Sequence, residues 1–391
     1  MATLLHISKS ATEKKFALFE LGFRPFFLLG GLFACVSVLP WVLSLHGVAF
    51  MPLGGGLWWH VHEMIFGFAL AIIIGFLLTA AQNWTGVPSA TGGLLAMLTL
   101  LWLLPRVLLP FVSMDFWWLV MGLDVAAALT AASVLARMVI KAGQWRNAPF
   151  VVIWLVFSVL NALSYWFIHL NDFASSLRIM ESVLWLVAVV MNMMGGRVIA
   201  FFTERAGEFT RRAEPKWLLS ASNAALLGLA VAFLFESDVP MRIFALMSAL
   251  LVGYRFSLWG WQASFKNPLL WSLHVSFFSL PLSCALLAAG FLRSGALHVF
   301  TIAAMSGLIM AMVSRVSLGH TGRSLTTPKG MAVAYVLLVL AALLRVLAVV
   351  WTQAYLPLID SALLLWILAW LIFLYHYARM YFLPRTDGRP G

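Results

Sequence analysis

The sequence predicts an all-α integral membrane protein, a bundle of about 12 transmembrane helices with both termini in the cytoplasm. Of its 391 residues, 63% are hydrophobic and only 10% are charged, a composition that excludes a soluble domain. The apolar residues form blocks of roughly 20, the length of helix that crosses a bilayer. Helices are expected because backbone polar groups must be satisfied internally in lipid.

Twelve apolar blocks follow one another with short polar connections. We therefore expect a cytoplasmic N-terminal tail (1–24), a single twelve-helix transmembrane domain (25–383) and a cytoplasmic C-terminal tail (384–391). The predicted spans are Pro25–Leu45, His60–Asn83, Thr91–Leu109, Asp115–Val139, Pro149–Leu170, Leu177–Phe202, Trp217–Phe235, Met241–Trp261, Leu269–Phe291, Ala296–Ser317, Met331–Trp351 and Leu358–Leu383.

The net charge of +11 is distributed unevenly between the two sides of these spans. An excess of Lys and Arg marks the cytoplasmic side of a membrane protein. The charge is therefore an orientation signal toward a lipid bilayer, and it gives no reason to expect a nucleic acid partner. Trp58, Trp59, Trp117 and Trp118 are expected at the outer interface. The predicted outer loops hold Arg106, Arg178, Arg242, Arg293 and Arg345, and the inner loops hold the other twenty, Lys9, Lys14, Lys15, Arg24, Arg137, Lys141, Arg146, Arg197, Arg205, Arg211, Arg212, Lys216, Arg255, Lys266, Arg315, Arg323, Lys329, Arg379, Arg385 and Arg389.

The second span begins with the stretch WWHVHEMIFGF, which places two histidines and a glutamate at the outer end of an apolar helix. Residues three or four apart share a helix face, so His60, Glu63 and Met64 are predicted to line up. His62 points about 200° away from His60 at roughly 100° per residue. The pair serves two adjacent sites, or one site if the helix start is unwound. Ionisable groups near the membrane core tend to be functional.

Several familiar metal motifs are absent from the sequence. An HExxH zinc site is excluded because Phe66 stands where the second histidine would follow His62. There is no CxxCH or CxxC pair for covalent haem, zinc or iron–sulfur. Cys35 and Cys284 both fall inside spans, where we expect them to pack as small apolar residues.

The other histidines define two predicted levels in the membrane. His298 opens the tenth span on the outer side, and His320 follows 22 residues later, which is about 33 Å along a helix. His274 lies early in the ninth span, toward the inside. Neutral imidazole suits copper, zinc or haem iron, and a nearby carboxylate can ligate a metal, orient a ligand or relay protons. The outer group comprises His60, His62, Glu63 and His298, and the inner pair comprises His274 and His320.

Five segments of the sequence carry a family resemblance. They are GFRPFFLLGG (22–31), WHVHEMIFGFALAIIIGFLLTAAQNWTG (59–86), GGRVIAFFT (195–203), LHVSFFSLPL (273–282) and ALHVFTIAAMSGLIMAMVSRVSLGHTGRSL (296–325). In this order they resemble the NnrS family of bacterial membrane proteins, over essentially the whole chain. The resemblance implies a multi-pass haem- and copper-binding protein of the bacterial inner (cytoplasmic) membrane, tied to nitric oxide or denitrification.

The family's motif positions carry over to this chain one at a time. His60 and His62 match the paired histidines of WHxHEM, and Glu63 matches its acid. His298 matches the histidine that opens the tenth span, His320 that of GHTGR and His274 that of the ninth span. The matching arginines are Arg24, Arg197, Arg315 and Arg323, with Ser314 where a Thr is expected before Arg315. They neutralise haem propionates or another anion, or they are ordinary positive-inside anchors.

The hypothesis that follows places one haem b at the outer side, on His298 and either His60 or His62. The remaining second-span histidine and Glu63 hold a copper ion or serve a proton path, with Glu63 as the relay. Nitric oxide binds the open metal position and is reduced to nitrous oxide, with electrons from a quinol or a soluble redox protein. His274 and His320 ligate a second haem or metal. The placement is supported by analogy with haem–copper oxidases, which carry haem ligands on their second and tenth helices.

Two other classes of function stay open at this point. One is a haem-based sensor or buffer that binds nitric oxide without turnover. The other is a proton-coupled transporter of a metal ion or nitrogen oxide, with Asp124 of the fourth span as proton carrier. The stretches from His60 to Gly86 and from His298 to Gly322 have similar lengths and ends, but both run outside to inside and form no inverted repeat.

Overall fold

The computed structural model describes residues 16–49, 52–206, 209–210 and 212–389, and within these ranges the chain forms helices and no strand. Eleven helices are long and apolar enough to cross a membrane, and a further apolar helix, Gly92–Leu108, has 17 residues. The predicted bundle of about 12 helices is confirmed. The predicted inner cations Lys9, Lys14, Lys15 and Arg211, and part of each predicted tail, lie outside the described residues.

Each predicted span corresponds to one helix. In chain order the helices are α1 (Phe23–Leu45), α2 (Gly55–Thr85), α3 (Gly92–Leu108), α4 (Met114–Ala142), α5 (Trp145–His169), α6 (Phe173–Arg205), α7 (Lys216–Leu234), α8 (Asp238–Ser257), α9 (Pro268–Ala288), α10 (Arg293–His320), α11 (Met331–Val350) and α12 (Thr352–Phe382). The ends differ from prediction by a few residues. Helix α2 begins five residues early, after Gly54 with φ of 77°, so His60 lies on its second turn.

The helices pack mainly against their neighbours in sequence, and α1 closes the bundle by packing against both α2 and α12. The amide of Ala17 donates to the carbonyl of Phe382 at 3.0 Å, so the described ends of the chain lie together. We call this the inner side, and the opposite one the outer side. Helices α2 and α6 are the most enclosed, with 78% and 89% of their most apolar stretch buried.

Helices α2 and α10 share an interruption that the hydropathy pattern does not reveal. In α2 the segment Glu63–Ala69 is π-helical and begins directly after His62. In α10 the segment Val299–Ser306 is π-helical and begins directly after His298. Wide π turns inside α-helices occur mostly at functional sites. The similarity between these two stretches is therefore structural, although the two helices run in the same direction.

The two helices also end alike. Thr85 is followed by Gly86 with φ of 68°, and Thr321 by Gly322 with φ of 73°. Glycine is favoured at such positions because it enters the left-handed region without steric penalty, and it commonly terminates a helix there. The Thr-Gly pairs of the NWTG and GHTGR motifs are thus helix stops at the inner side.

The expectation for the outer tryptophans is wrong for Trp58 and Trp59. Both side chains are buried in the bundle rather than placed at the lipid interface. The indole of Trp58 donates to Ser176 Oγ at 2.9 Å, and that of Trp59 to the Ser37 carbonyl at 2.7 Å. Buried partners therefore accept hydrogen bonds from both indole N–H groups, as a buried indole N–H usually requires.

Cys35 and Cys284 are both free thiols, as expected.

Candidate functional site

A cavity of about 450 Å³ lies in the outer half of the bundle, which we call the outer cavity. Ligand sites typically occupy roughly 300–1,000 Å³ and combine an apolar lining with a few convergent polar groups. The polar groups here come from α2, α6, α10 and α11. They are His60, Glu181, Arg293, Ser294, His298, Thr301 and Arg345.

His60 and His298 come together in this cavity from α2 and α10. Their ring centroids lie 6.4 Å apart, and their planes differ by only 5°. A metal ion that binds two imidazoles at about 2.0 Å per bond keeps their centroids roughly 6 Å apart. The spacing therefore suits two imidazoles that share one metal centre.

The hydrogen bonds of the two imidazoles differ. His298 Nδ1 lies 2.7 Å from the Ser294 carbonyl, which only accepts, so this nitrogen is the donor. In a neutral ring Nε2 then carries the lone pair that a metal needs, a common arrangement of metal-binding histidines. His60 Nδ1 is buried without a hydrogen-bond partner, and the ring stacks on Trp41 at 4.5 Å.

Arg345 brings an unbalanced positive charge to the outer cavity. Its side chain is 94% buried and donates to Ser294 Oγ at 3.1 Å, while Nε and Nη1 have no hydrogen-bond partner. In the described part of the chain no carboxylate lies within ion-pair distance of it. A buried unpaired charge is costly, so the site favours a ligand with an anionic group. Arg293 differs, because it pairs with Glu181.

His62 faces away from this cavity, into a buried network between α2, α3, α4 and α5. Its Nδ1 lies 2.7 Å from Glu63 Oε1, and its Nε2 lies 2.9 Å from Asn161 Oδ1. Asn161 Nδ2 in turn donates to Asp124 Oδ2 at 3.0 Å, which fixes its oxygen toward His62. Both ring nitrogens of His62 thus face acceptors, and the ring shares a proton with Glu63.

Arg106 completes the network from α3. It forms an ion pair with Asp124, and its Nε lies 3.2 Å from Glu63 Oε2. The side chains of His62, Glu63, Arg106 and Asp124 are at most 1% exposed. Arg106 thus faces two carboxylates, and His62 lies beside both of them, so the buried charges have partners, as a membrane protein requires. We call these four residues and Asn161 the charge network.

The structure therefore divides the predicted outer group between two sites. His60 and Met64 line the outer cavity together, as their spacing predicts, whereas Glu63 joins His62 in the charge network. The predicted shared face of His60 and Glu63 is not formed, because Glu63 contacts His62 and Arg106 and does not line the outer cavity. The two histidines of α2 serve two adjacent sites, which was one of the two alternatives.

The predicted inner histidines have separate surroundings. His274 Nε2 donates to Thr203 Oγ1 at 2.9 Å, and its ring packs against Phe256. The ring of His320 packs against Phe23, and its carbonyl accepts from Arg385. The contacts of His274 and His320 have no residue in common, so they give no indication that the two rings share one site. Among the described residues, no cluster of three or more His, Cys, Asp or Glu side chains is arranged for a metal ion.

The four arginines that carry over from the family motifs lie in the inner half, away from the outer cavity. Arg24 donates to the carbonyls of Met380, Tyr381 and Leu383 at the end of α12, a favourable place for a cation. Arg197 donates to Asn147 Oδ1 at 2.9 Å. Arg315 lies 4.0 Å above the Phe202 ring, and Arg323 is half-buried beside the Thr321 carbonyl.

The C-terminal segment lies beside the inner end of α10. Arg385 hydrogen-bonds to Asp387 and lowers the pKa of that carboxyl to about 2. The amide of Thr386 donates to the Thr321 carbonyl at 3.0 Å. The GHTGR motif is therefore covered by the chain's own end.

Sequence reasoning missed the cationic residues of the two outer sites. Arg345 and Arg293 line the outer cavity, and Arg106 belongs to the charge network. The sequence does contain a signal for these residues, because they are three of the five basic residues predicted on the outer side of the membrane, where cations are rare. A buried cation on that side needs a specific partner or ligand.

The comparison with known protein families covers all twelve helices of the bundle. A model of the family described as NnrS protein matches residues 17–385, from the residue that bonds to α12 through the end of the bundle. The chain belongs to the NnrS family. It is a multi-span membrane protein of a family linked to the nitric oxide response. A search of the curated proteins finds no match to it.

Proposed function

We propose that His60 and His298 hold a single haem b in the outer cavity, and that the protein binds nitric oxide there and reduces it to nitrous oxide. The observation that carries the proposal is the pair of parallel imidazoles 6.4 Å apart in a cavity of about 450 Å³. A haem needs one or two axial ligands and a dry slot between helices. The apolar wall, formed largely by Leu, Ile and Val side chains, meets the second need.

Arg345 supports haem over a bare metal ion as the occupant. Haem carries propionates, and a guanidinium with two unpartnered nitrogens suits a carboxylate. Ser294 links Arg345 to His298. Its hydroxyl accepts a hydrogen bond from Arg345, and its carbonyl accepts one from His298. Bound haem would supply an iron that takes nitric oxide and passes electrons to it.

The two imidazoles take different roles in this proposal. His298 is the fixed ligand, because the Ser294 carbonyl orients its ring. His60 has no hydrogen bond at Nδ1 and stacks on Trp41, so it would be the less firmly oriented of the two ligands.

Reduction of two nitric oxide molecules to nitrous oxide and water consumes two electrons and two protons. Glu63, which shares a proton with His62, is the proposed proton relay, since its neighbour Met64 lines the outer cavity. Glu181 is a second carboxylate at the cavity wall. Electrons come from a quinol or a soluble redox protein. This chemistry gives resistance to nitric oxide during denitrification, at the bacterial inner membrane.

A copper ion does not fit His62 and Glu63 as they are arranged. Both ring nitrogens of His62 already face protein acceptors, with the Glu63 carboxylate 2.7 Å from Nδ1 and the Asn161 amide oxygen 2.9 Å from Nε2. Copper therefore stays a prediction of the family resemblance, and no step of the proposed reaction passes through it.

The test uses the full-length protein purified in detergent, with His46→Ala as a control at an exposed histidine. The reduced protein is expected to show a b-type haem band that shifts when nitric oxide is added, and to form nitrous oxide when a reductant is supplied. A shifted band without nitrous oxide would replace reduction by sensing or buffering. A protein with no haem band would contradict the proposal.

A further inference from the structure

A second cavity continues the outer cavity toward the inner side, between α2, α6 and α10. Its volume is about 80 Å³, several times the roughly 10–15 Å³ that one water molecule needs by the same measure. All sixteen residues that line it are apolar. We call this cavity the apolar slot.

The slot and the outer cavity lie end to end between the same helices. Met305 of α10 lines both. On α2 the lining passes from Ile65 of the outer cavity to Ile72 of the slot, and on α6 from Leu184 to Val187. Each helix thus leaves one cavity and enters the other within about two turns.

The slot is not fully enclosed by the protein. Five of its lining residues are partly exposed, on all three helices. They lie within the segments that cross the bilayer, so an opening beside them would lead to hydrocarbon rather than to water. They are Ile73, Phe76, Val198, Ile309 and Met312.

The lining decides which molecule can use the slot. A quinol head group or an anion would leave its polar atoms without partners there, which is costly in an apolar site. A small apolar gas has no such groups and dissolves in the hydrocarbon of the membrane. The lateral opening, the size and the junction with the outer cavity all suit such a gas.

We infer that the apolar slot is the route by which a small apolar gas passes from the bilayer core to the His60–His298 site. This inference rests on the proposed function for the identity of the gas, which is nitric oxide. Met305 stands at the junction, and its unbranched thioether side chain can change rotamer to let a diatomic molecule pass. The gas therefore need not cross the polar outer surface.

The first test narrows the slot with bulkier side chains. Leu308→Trp and Val190→Phe add bulk to two buried lining residues, and Val152→Phe adds it at a lipid-facing residue of α5 as the control. Association of nitric oxide is measured by flash photolysis of the full-length protein in lipid nanodiscs. We expect the rate constant to fall by about tenfold in the two slot variants, within the decades over which association rates vary among variants of one site.

Met305→Ala tests the junction in the opposite direction. It removes the side chain between the two cavities, so the rate constant should rise by about threefold. It also keeps the inference testable if the bulky variants fail to fold. Haem content is measured alongside, and the rate constant is compared per bound haem, because Met305 also lines the outer cavity. Unchanged association rates in well-folded Leu308→Trp and Met305→Ala would overturn the route and leave the proposed function standing.

Xenon binding tests the route independently of the proposed function, because xenon can occupy an apolar cavity whether or not haem is bound. Xenon-pressurised crystals of the unmodified protein should contain xenon beside Met305 and Leu308, and crystals of Leu308→Trp should not. Absence of xenon from the slot of the unmodified protein would overturn the route. If the protein proves to lack haem, the proposed function fails, and xenon in the slot still supports an apolar gas route.

Discussion

His60 and His62 lie two residues apart on α2 and have opposite chemical surroundings. His60 faces a cavity, and its buried Nδ1 has no partner. His62 is fully buried, and both of its ring nitrogens face acceptors. Buried polar groups in proteins are nearly always hydrogen-bonded, so an exception requires an explanation. The comparison shows that unmet hydrogen-bonding capacity separates the candidate ligand from the histidine that stabilises the bundle.

The two sites also differ in charge. The charge network contains its own counterions, because Arg106 and His62 face Glu63 and Asp124. The outer cavity has no such balance at Arg345. A network with its own counterions needs nothing from outside, whereas an unpaired cation favours an anionic ligand.

The largest effect is expected for His298→Ala, set against His62→Ala. Even loss of a residue that only orients a metal ligand typically lowers affinity by about 10–100-fold, so loss of a ligand should remove most of the haem. His62→Ala should retain it, since His62 faces the charge network. Haem per protein is measured on gel-filtered samples. Equal haem loss in both variants would abolish the distinction between the two histidines.

Asp124→Ala should destabilise the protein strongly and spare the outer cavity. Removing one partner of a buried ion pair costs about 3–5 kcal/mol, and here Arg106 would be left with Glu63 as its one remaining carboxylate in the charge network. The unfolding midpoint in detergent checks this. The double variant Arg106→Leu with Asp124→Leu should recover part of the loss. Retained stability with loss of proton-coupled transport would instead favour a transporter.

Arg345→Gln should have opposite effects on the protein with and without its ligand. A hydrogen bond to a charged group contributes about 1.5–3 kcal/mol, so haem affinity should fall by roughly 10–100-fold. The ligand-free protein should become more stable, because a buried unpaired charge is removed. Arg106→Gln provides the contrast, since it should only destabilise. A stability loss at Arg345 equal to that at Arg106 would show that Arg345 is already paired.

The smallest effect is expected for Gly67→Ala, which crowds the Phe33 ring and the Glu63 carboxylate of the charge network. A Cβ at Gly67 would lie 2.7 Å from Glu63 Oε2 and would also meet the Phe33 ring. Overpacking of this kind costs about 1–3 kcal/mol. The haem spectrum should not change. Gly93→Ala in α3, where no atom lies within 4 Å, is the control, and an equal loss there would exclude crowding as the cause.

Much of this architecture could be predicted from the sequence. The helices are set by apolar block length, and the shared level of His60 and His298 follows from their places at the outer ends of two spans. That they meet depends on packing between α2 and α10, which are far apart in sequence. Helical periodicity correctly placed His60 with Met64 and turned His62 away.

The rest depended on interactions that a single sequence does not display. Glu63 contacts Arg106, which comes from a different helix, and nothing in the residues themselves marks the start of the π-helical segment. The partners of His62 come from α4 and α5, which hydropathy identifies only as apolar spans. The carried-over arginines reflect contacts at the inner ends of helices, whereas the cations of the outer cavity lie outside the family motifs quoted above.

The most direct test of the central claim is near-infrared magnetic circular dichroism of the oxidised full-length protein, which identifies the axial ligands of a haem. The account predicts a bis-histidine signature that becomes histidine–methionine in both His60→Met and His298→Met and stays unchanged in His62→Met. A signature that changes in His62→Met, or one that is unaffected in both His60→Met and His298→Met, would contradict the assignment of the outer cavity as the haem site.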